Sequence, residues 1–216
     1  MKKKTIFYIT FFIVLALGFY GTFVFLIPGF GEPKFPVRSI VKPFRFTNQD
    51  GLPVTDQDMN GRVYLAEYFF TTCPNICPML NNNMRKVYDR YKEVSDFQIL
   101  SFTCDPDRDS AQQLKKYSDS MQVNTKQWIF LTGRKDSLYN TARYSYLLDD
   151  PKNNLTKIED QFMHTQFWAL VDKNGQVRKI YDGLKDKEVE EALKDIDVLL
   201  KEAPTQKRFV NNLFQK

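Results

Sequence analysis

From residue 44 to residue 200 the chain alternates short apolar runs with segments of helical period, and this alternation restricts its fold more than any other feature. Phe44 to Thr47 reads as a short strand, followed by turn chemistry in Asn48-Gln49-Asp50-Gly51. Val63 to Phe70 is an apolar run of strand length. Leu80, Met84, Val87, Tyr88, Tyr91 and Val94 then recur at helical spacing, which predicts a helix over 78–94. A buried-type strand over 97–103, a helix over 110–121 with Asp109 or Ser110 as N-cap, a strand over 127–131 and a helix over 135–148 follow. After a polar, loop-like stretch over 149–162, residues 165–171 and 176–181 flank Asp172-Lys173-Asn174-Gly175 and read as a hairpin. Val189, Leu193, Ile196 and Leu200 mark a last amphipathic helix, stopped before Pro204. Such an order predicts an α/β fold, a mixed central sheet flanked by helices.

The front of the chain is different. Residues 5–27 carry no charge and are long enough to cross a bilayer as a helix. Lys2, Lys3 and Lys4 precede them, so the positive-inside rule keeps residues 1–4 in the cytoplasm. A cleaved signal peptide is the alternative, but no Ala-x-Ala site follows the apolar run and no cysteine there could take a lipid. We therefore expect a single-pass anchor over 5–27, a Pro- and Gly-punctuated linker over 28–42, one domain over 43–204 and a tail over 205–216. The domain would lie on the extracytoplasmic side of an inner membrane, since no Arg- and Ser-rich transit segment points to a mitochondrion. The net charge of +5 falls to +2 without the three N-terminal lysines, which gives no electrostatic case for binding nucleic acid.

Thr71-Thr72-Cys73-Pro74-Asn75-Ile76-Cys77-Pro78 places two thiols at the strand-to-helix junction. There they can share a metal ion or close a disulfide, and a helix N-terminus favours the thiolate. A buried structural pair or an inert disulfide is the plain alternative. The exported side is oxidising, and three cysteines cannot all pair within one molecule, so one thiol is left over. A dithiol after the first central strand, in a domain that closes with hairpin then helix, matches the thioredoxin plan. In that plan the loop before the hairpin approaches the dithiol, and His164, the chain's one histidine, sits in that loop. Two thiolates and an imidazole suit trigonal Cu(I); a structural zinc site usually wants four ligands, and a further ligand would complete a Cu(II) site. Cys104 reads either as a small buried hydrophobe or as a third thiol at the same sheet end, able to trap or relay copper. Asp105, Asp107, Arg108 and Asp109 read as a turn with a helix cap, or as a polar rim that orients the thiol loop or docks a partner.

Several separated motifs resemble the Sco/SenC family. They are Phe46 to Gly51, Gly61-Arg62-Val63, Phe70 to Pro78, the DPxRD element at Asp105 to Asp109, and His164 followed by Leu170-Val171-Asp172 and Gly175. The resemblance covers roughly residues 44–200. It implies a thioredoxin-like fold that binds one copper ion, whether as Cu(I), as Cu(II) or as both, with Cys73, Cys77 and His164 as ligands. It also implies a role in assembling the CuA centre of cytochrome c oxidase. The partners would be the copper-bearing subunit of the oxidase, a copper donor protein and the membrane. Cys104 departs from the family, which more often has an aliphatic or small residue before Asp-Pro, and Glu67 is unusual in a central strand.

Three functions compete on these residues. A copper chaperone would exchange ligands without turnover. A thiol–disulfide oxidoreductase would use Cys73 and Cys77 as a redox pair, whereas general oxidoreductases of this fold use CxxC and a proline where Met163-His164-Thr165 has none. A peroxidase would need an activating arginine such as Arg85 or Arg108.

Overall fold

The structure, a computed structural model, describes residues 3–26, 35–73, 76–155, 157, 158, 161, 163 and 165–204. It divides into two units, residues 1–34 and 35–216. In the first, α1 (Lys3–Leu26) is a helix of 24 residues. At 1.5 Å per residue it is about 36 Å long, more than the hydrocarbon core of a bilayer. It is long and apolar enough to cross a membrane.

The second unit is a thioredoxin-like α/β arrangement, a mixed sheet with helices on both faces. Its strands are β1 (Ser39–Ile40), β2 (Arg45–Asn48), β3 (Pro53–Thr55), β4 (Val63–Phe69), β5 (Phe97–Thr103), β6 (Trp128–Thr132), β7 (Phe167–Val171) and β8 (Gln176–Asp182). Among the described residues they form one sheet in the order β1-β8-β7-β4-β5-β6-β2-β3. β4, β5 and β6 are parallel, with Val63 opposite Phe97 and Phe69 opposite Thr103; the other pairings are antiparallel. The helices of this unit are α2 (Ile76–Tyr91), α3 (Ala111–Met121), α4 (Lys135–Thr141) and α5 (Asp186–Lys201).

Every residue of β4 is buried, as a central strand covered on both faces requires. Val63, Leu65 and Phe69 pack with Leu80, Met84 and Val87 of α2 and with Val189, Ala192 and Ile196 of α5. Tyr64, Ala66 and Tyr68 alternate onto the other face and pack with Leu138 and Tyr139 of α4. The two faces thus make two cores, and the C-terminal end of β4 delivers the chain into the thiol loop.

Three segments differ from the sequence reading. Ser39 and Ile40, inside the stretch read as linker, pair with Val177 and Gln176, and Arg38 and Val41 add backbone hydrogen bonds to Val177 and Gly175 of 2.8 and 2.9 Å. α2 begins at Ile76, earlier than residue 78, because Pro78 falls in the first turn, where a missing N–H breaks no helical bond. The helix expected over 135–148 stops at Thr141, widens into a π-turn over Ala142–Tyr146 and ends at Leu147 with φ 57°. The wide turn accompanies burial of Arg143. Its guanidinium donates to Asp149 (2.7 Å) and to Gln161 (2.6 Å) and lies 5.5 Å from the Tyr139 ring centre.

Gly183 follows β8 directly and has no room for a side chain: a Cβ there would lie 2.4 Å from Cε2 of the buried Trp168. Gly183→Ala is expected to cost about 2 kcal/mol or more, read from the urea midpoint of the domain. An unchanged midpoint would mean that the indole moves aside without penalty.

Candidate metal centre

The site is built on the connection from β4 to α2. Cys73 follows a turn in which its N–H donates to the Phe70 carbonyl (3.3 Å), and Cys77 lies in the first turn of α2. All three cysteines of the chain are thiols. Cys73 and Cys77 are hydrogen-bonded to each other, and both line a cleft of about 310 Å³ between α2 and α3. Asn81 and Arg85 of α2 and Tyr117 and Met121 of α3 also line it.

The helix N-terminus does not make Cys77 a thiolate. Burial first, and then the hydrogen bond with Cys73, push its pKa up to about 12, against a lowering bond with the Phe70 backbone. The expectation of a helix-stabilised thiolate fails here because the sulfur is packed into the core, where removing solvent outweighs the helix dipole. Cys77 must therefore give up a proton before its sulfur binds a soft metal ion or attacks a disulfide.

A buried carboxylate fixes the thiol loop. Asp109 is fully buried and accepts from the Thr71 N–H (3.0 Å), the Thr71 hydroxyl (2.5 Å) and the Thr103 hydroxyl (2.6 Å). It does not cap α3; Ser110 does, accepting from the Gln113 N–H (3.3 Å). The last residue of the DPxRD element thus clamps the loop before Cys73 to the end of β5. Arg108 points to solvent, 3.7 Å from Asp105, while Arg85 lines the thiol cleft and donates to the Met121 carbonyl.

Cys104 is buried and packs in the core on the α4 face, whereas Cys77 belongs to the core on the α2 face. Its thiol donates to the Phe69 carbonyl (3.0 Å), and burial raises its pKa well above the usual thiol range. Glu67 has a structural explanation that sequence did not offer. It sits opposite Ser101 in the sheet, accepts from the Ser101 hydroxyl (2.6 Å), and that hydroxyl in turn accepts from the Trp128 indole N–H (2.7 Å).

Among the described residues no group of three or more His, Cys, Asp or Glu side chains is arranged to hold a metal. His164, the expected third ligand, lies outside those residues. Its neighbour Met163 is described: the Met163 N–H donates to the Tyr139 hydroxyl (3.2 Å), which donates to the Cys104 carbonyl (2.8 Å). Two adjoining thiols opening on a cleft fit a soft metal ion.

Fold and thiols together put the chain among the thioredoxin-like proteins that carry a dithiol where the first central strand meets its helix. Within that class it belongs to the SCO1/SenC family, whose model matches residues 34–201. It is 33% identical over 179 residues to the SCO1 protein homolog of Bacillus subtilis, covering 81% of this chain and 90% of the relative. BsSco, a solved member of the Sco family of cytochrome c oxidase assembly proteins with an identified disulfide switch, superposes with a TM-score of 0.65 at 30% identity, over 78% of this chain and 98% of its own. ScoI of Arabidopsis thaliana, solved with copper bound, superposes with a TM-score of 0.59 at 26% identity, over 76% of this chain and 100% of its own.

Proposed function

We propose that this chain is a membrane-anchored copper chaperone that serves assembly of the CuA centre of cytochrome c oxidase. The observation that carries the reading is the Cys73–Cys77 pair, hydrogen-bonded and opening into one cleft. Membership of the SCO1/SenC family supports it, as do a similar protein solved with copper and another described as an oxidase assembly protein. In this reading α1 anchors the protein in the inner membrane and the domain works on the extracytoplasmic side.

Copper is the cargo. Cys73 and Cys77 supply two soft sulfur ligands and His164 supplies the third, an imidazole. Binding releases the Cys77 proton, and the cargo leaves by ligand exchange with thiolates or imidazoles of the copper-bearing oxidase subunit. It arrives from a donor protein by the same exchange. Protonation of His164 competes with copper, so affinity falls as pH drops below about 6 to 7.

The adjoining thiols also support a second reading, a reductase for the cysteines of the oxidase copper site. One thiolate would attack the partner's disulfide and the other would resolve the mixed disulfide. The pair loses two electrons and two protons, and the partner gains them.

The test uses the full chain in neutral detergent, loaded with Cu(I) under reducing conditions and then exchanged into copper-free buffer. Wild type should keep about one copper per chain, and Cys73→Ala, Cys77→Ala and His164→Ala should each lose most of it. A wild-type protein that holds no copper but cycles a Cys73–Cys77 disulfide would replace the chaperone by the reductase.

A further inference from the structure

A second, larger cleft lies away from the thiols, against the α4 face of the sheet. Its volume is about 600 Å³. One wall is the extended chain over residues 42–46. The other is a single stripe of α4 and the π-turn, in which Ser137, Asn140, Thr141 and Tyr144 recur at helical spacing. From Ser137 to Ser145 the stripe runs for about 12 Å at 1.5 Å per residue. Phe44 and Phe46 form an apolar floor, their rings stacked with centres 5.4 Å apart.

The charge in this cleft has one sign. Lys42 and Arg45 line it and both are exposed, while no carboxylate lines it. Among the described residues neither cation has an ion-pair partner; Lys42 instead lies 5.4 Å from the centre of the Tyr144 ring. The nearby acids are engaged elsewhere. Asp136, which accepts from the Ser137 N–H, is paired with Arg134 at 2.6 Å, and Asp56 accepts from the Phe44 N–H at 3.1 Å. Two unneutralised cations beside the exposed Asn140 amide and the half-buried Ser137 and Thr141 hydroxyls suit a ligand that brings its own negative charge and its own hydrogen bonds.

We propose that this cleft docks an extended acidic segment of a partner protein. A chain of glutamates or aspartates supplies carboxylates to Lys42 and Arg45 and backbone groups to Ser137 and Asn140, and its apolar atoms rest on Phe44 and Phe46. A wall about 12 Å long matches an extended peptide segment of about four residues. The cleft shares no lining residue with the thiol cleft, so docking here leaves Cys73 and Cys77 accessible to the same partner.

The test is fluorescence anisotropy with a labelled, capped oligoglutamate peptide and its oligoglutamine analogue, on the full chain in neutral detergent. Saturable binding of the glutamate peptide at low salt is expected, about tenfold or more weaker in the double variant Lys42→Glu/Arg45→Glu and absent for the glutamine peptide. The Cys73→Ala/Cys77→Ala protein should bind as wild type does. Circular dichroism confirms that each variant is folded, and Lys42→Gln/Arg45→Gln should show an intermediate loss. No saturable binding, binding that survives charge reversal, or loss of binding in the cysteine variant would each overturn the proposal. So would Lys42- and Arg45-dependent capture of phosphatidylglycerol nanodiscs without capture of the peptide, which would make the cleft a lipid site.

Discussion

Asp109→Ala is expected to destabilise the domain by about 3 kcal/mol and to weaken copper retention, although residue 109 is not among the proposed ligands. The wild-type carboxylate holds three donors at once, two of them on Thr71 and one on Thr103. Removing it leaves those donors beside a cavity and frees the turn that positions Cys73. Hydrogen bonds to a charged group contribute about 1.5 to 3 kcal/mol each, and the cost of burying the charge offsets part of that sum. Asp109→Asn separates the two effects. Its amide oxygen can still accept, but its NH₂ group meets a donor, so it should lose a smaller part of the stability. Urea melts of the two variants, beside copper content at a buffered Cu(I) concentration, check this. Wild-type melts in Asp109→Ala would show that Thr71 and Thr103 find other acceptors at no cost.

Glu67 gives the second large effect, and it depends on pH. Burial raises its pKa from 4.5 to about 7. The Ser101 hydroxyl opposes that shift, and so does the nearby Trp168 indole N–H, which makes no hydrogen bond of good geometry. Because the folded state holds this proton more tightly than the unfolded chain, its contribution is complete below about pH 4.5 and is lost as pH rises through 7. The shift corresponds to about 3 kcal/mol. Glu67→Gln keeps an acceptor for Ser101 and cannot ionise. Its stability relative to wild type should therefore climb by about that amount between pH 4.5 and pH 8. Parallel pH profiles for the two proteins would show that the carboxyl reaches water when charged.

The alternation of runs and periods made the layered architecture readable, because a central strand buried on both faces and an amphipathic helix each leave a long pattern. Val63–Phe69 and the stripe Leu80, Met84, Val87 and Tyr88 are such patterns. β1 left none: two residues at a sheet edge carry no period, and a Pro-rich stretch reads as linker. The π-turn was hidden because Ala142, Arg143 and Tyr146 fit a helical count equally well. At the site, the spacing of Cys73 and Cys77 pointed to paired thiols, but the protonation of Cys77 depends on packing that no spacing reports. For Asp109 the sequence allows both a helix cap and a rim that orients the thiol loop. An aspartate just before a helix is usually a cap, and only the folded sheet brings Thr71 to it.

Arg143 has one more consequence, for how the chain can vary. Its single guanidinium binds both Asp149, where the long excursion before β7 leaves the π-turn, and Gln161, where that excursion returns. The closure cost of a loop pinched at its base depends only weakly on its length, doubling it adding about 0.6 kcal/mol. An insertion at the exposed residues Pro151 and Lys152 should therefore cost the domain little stability.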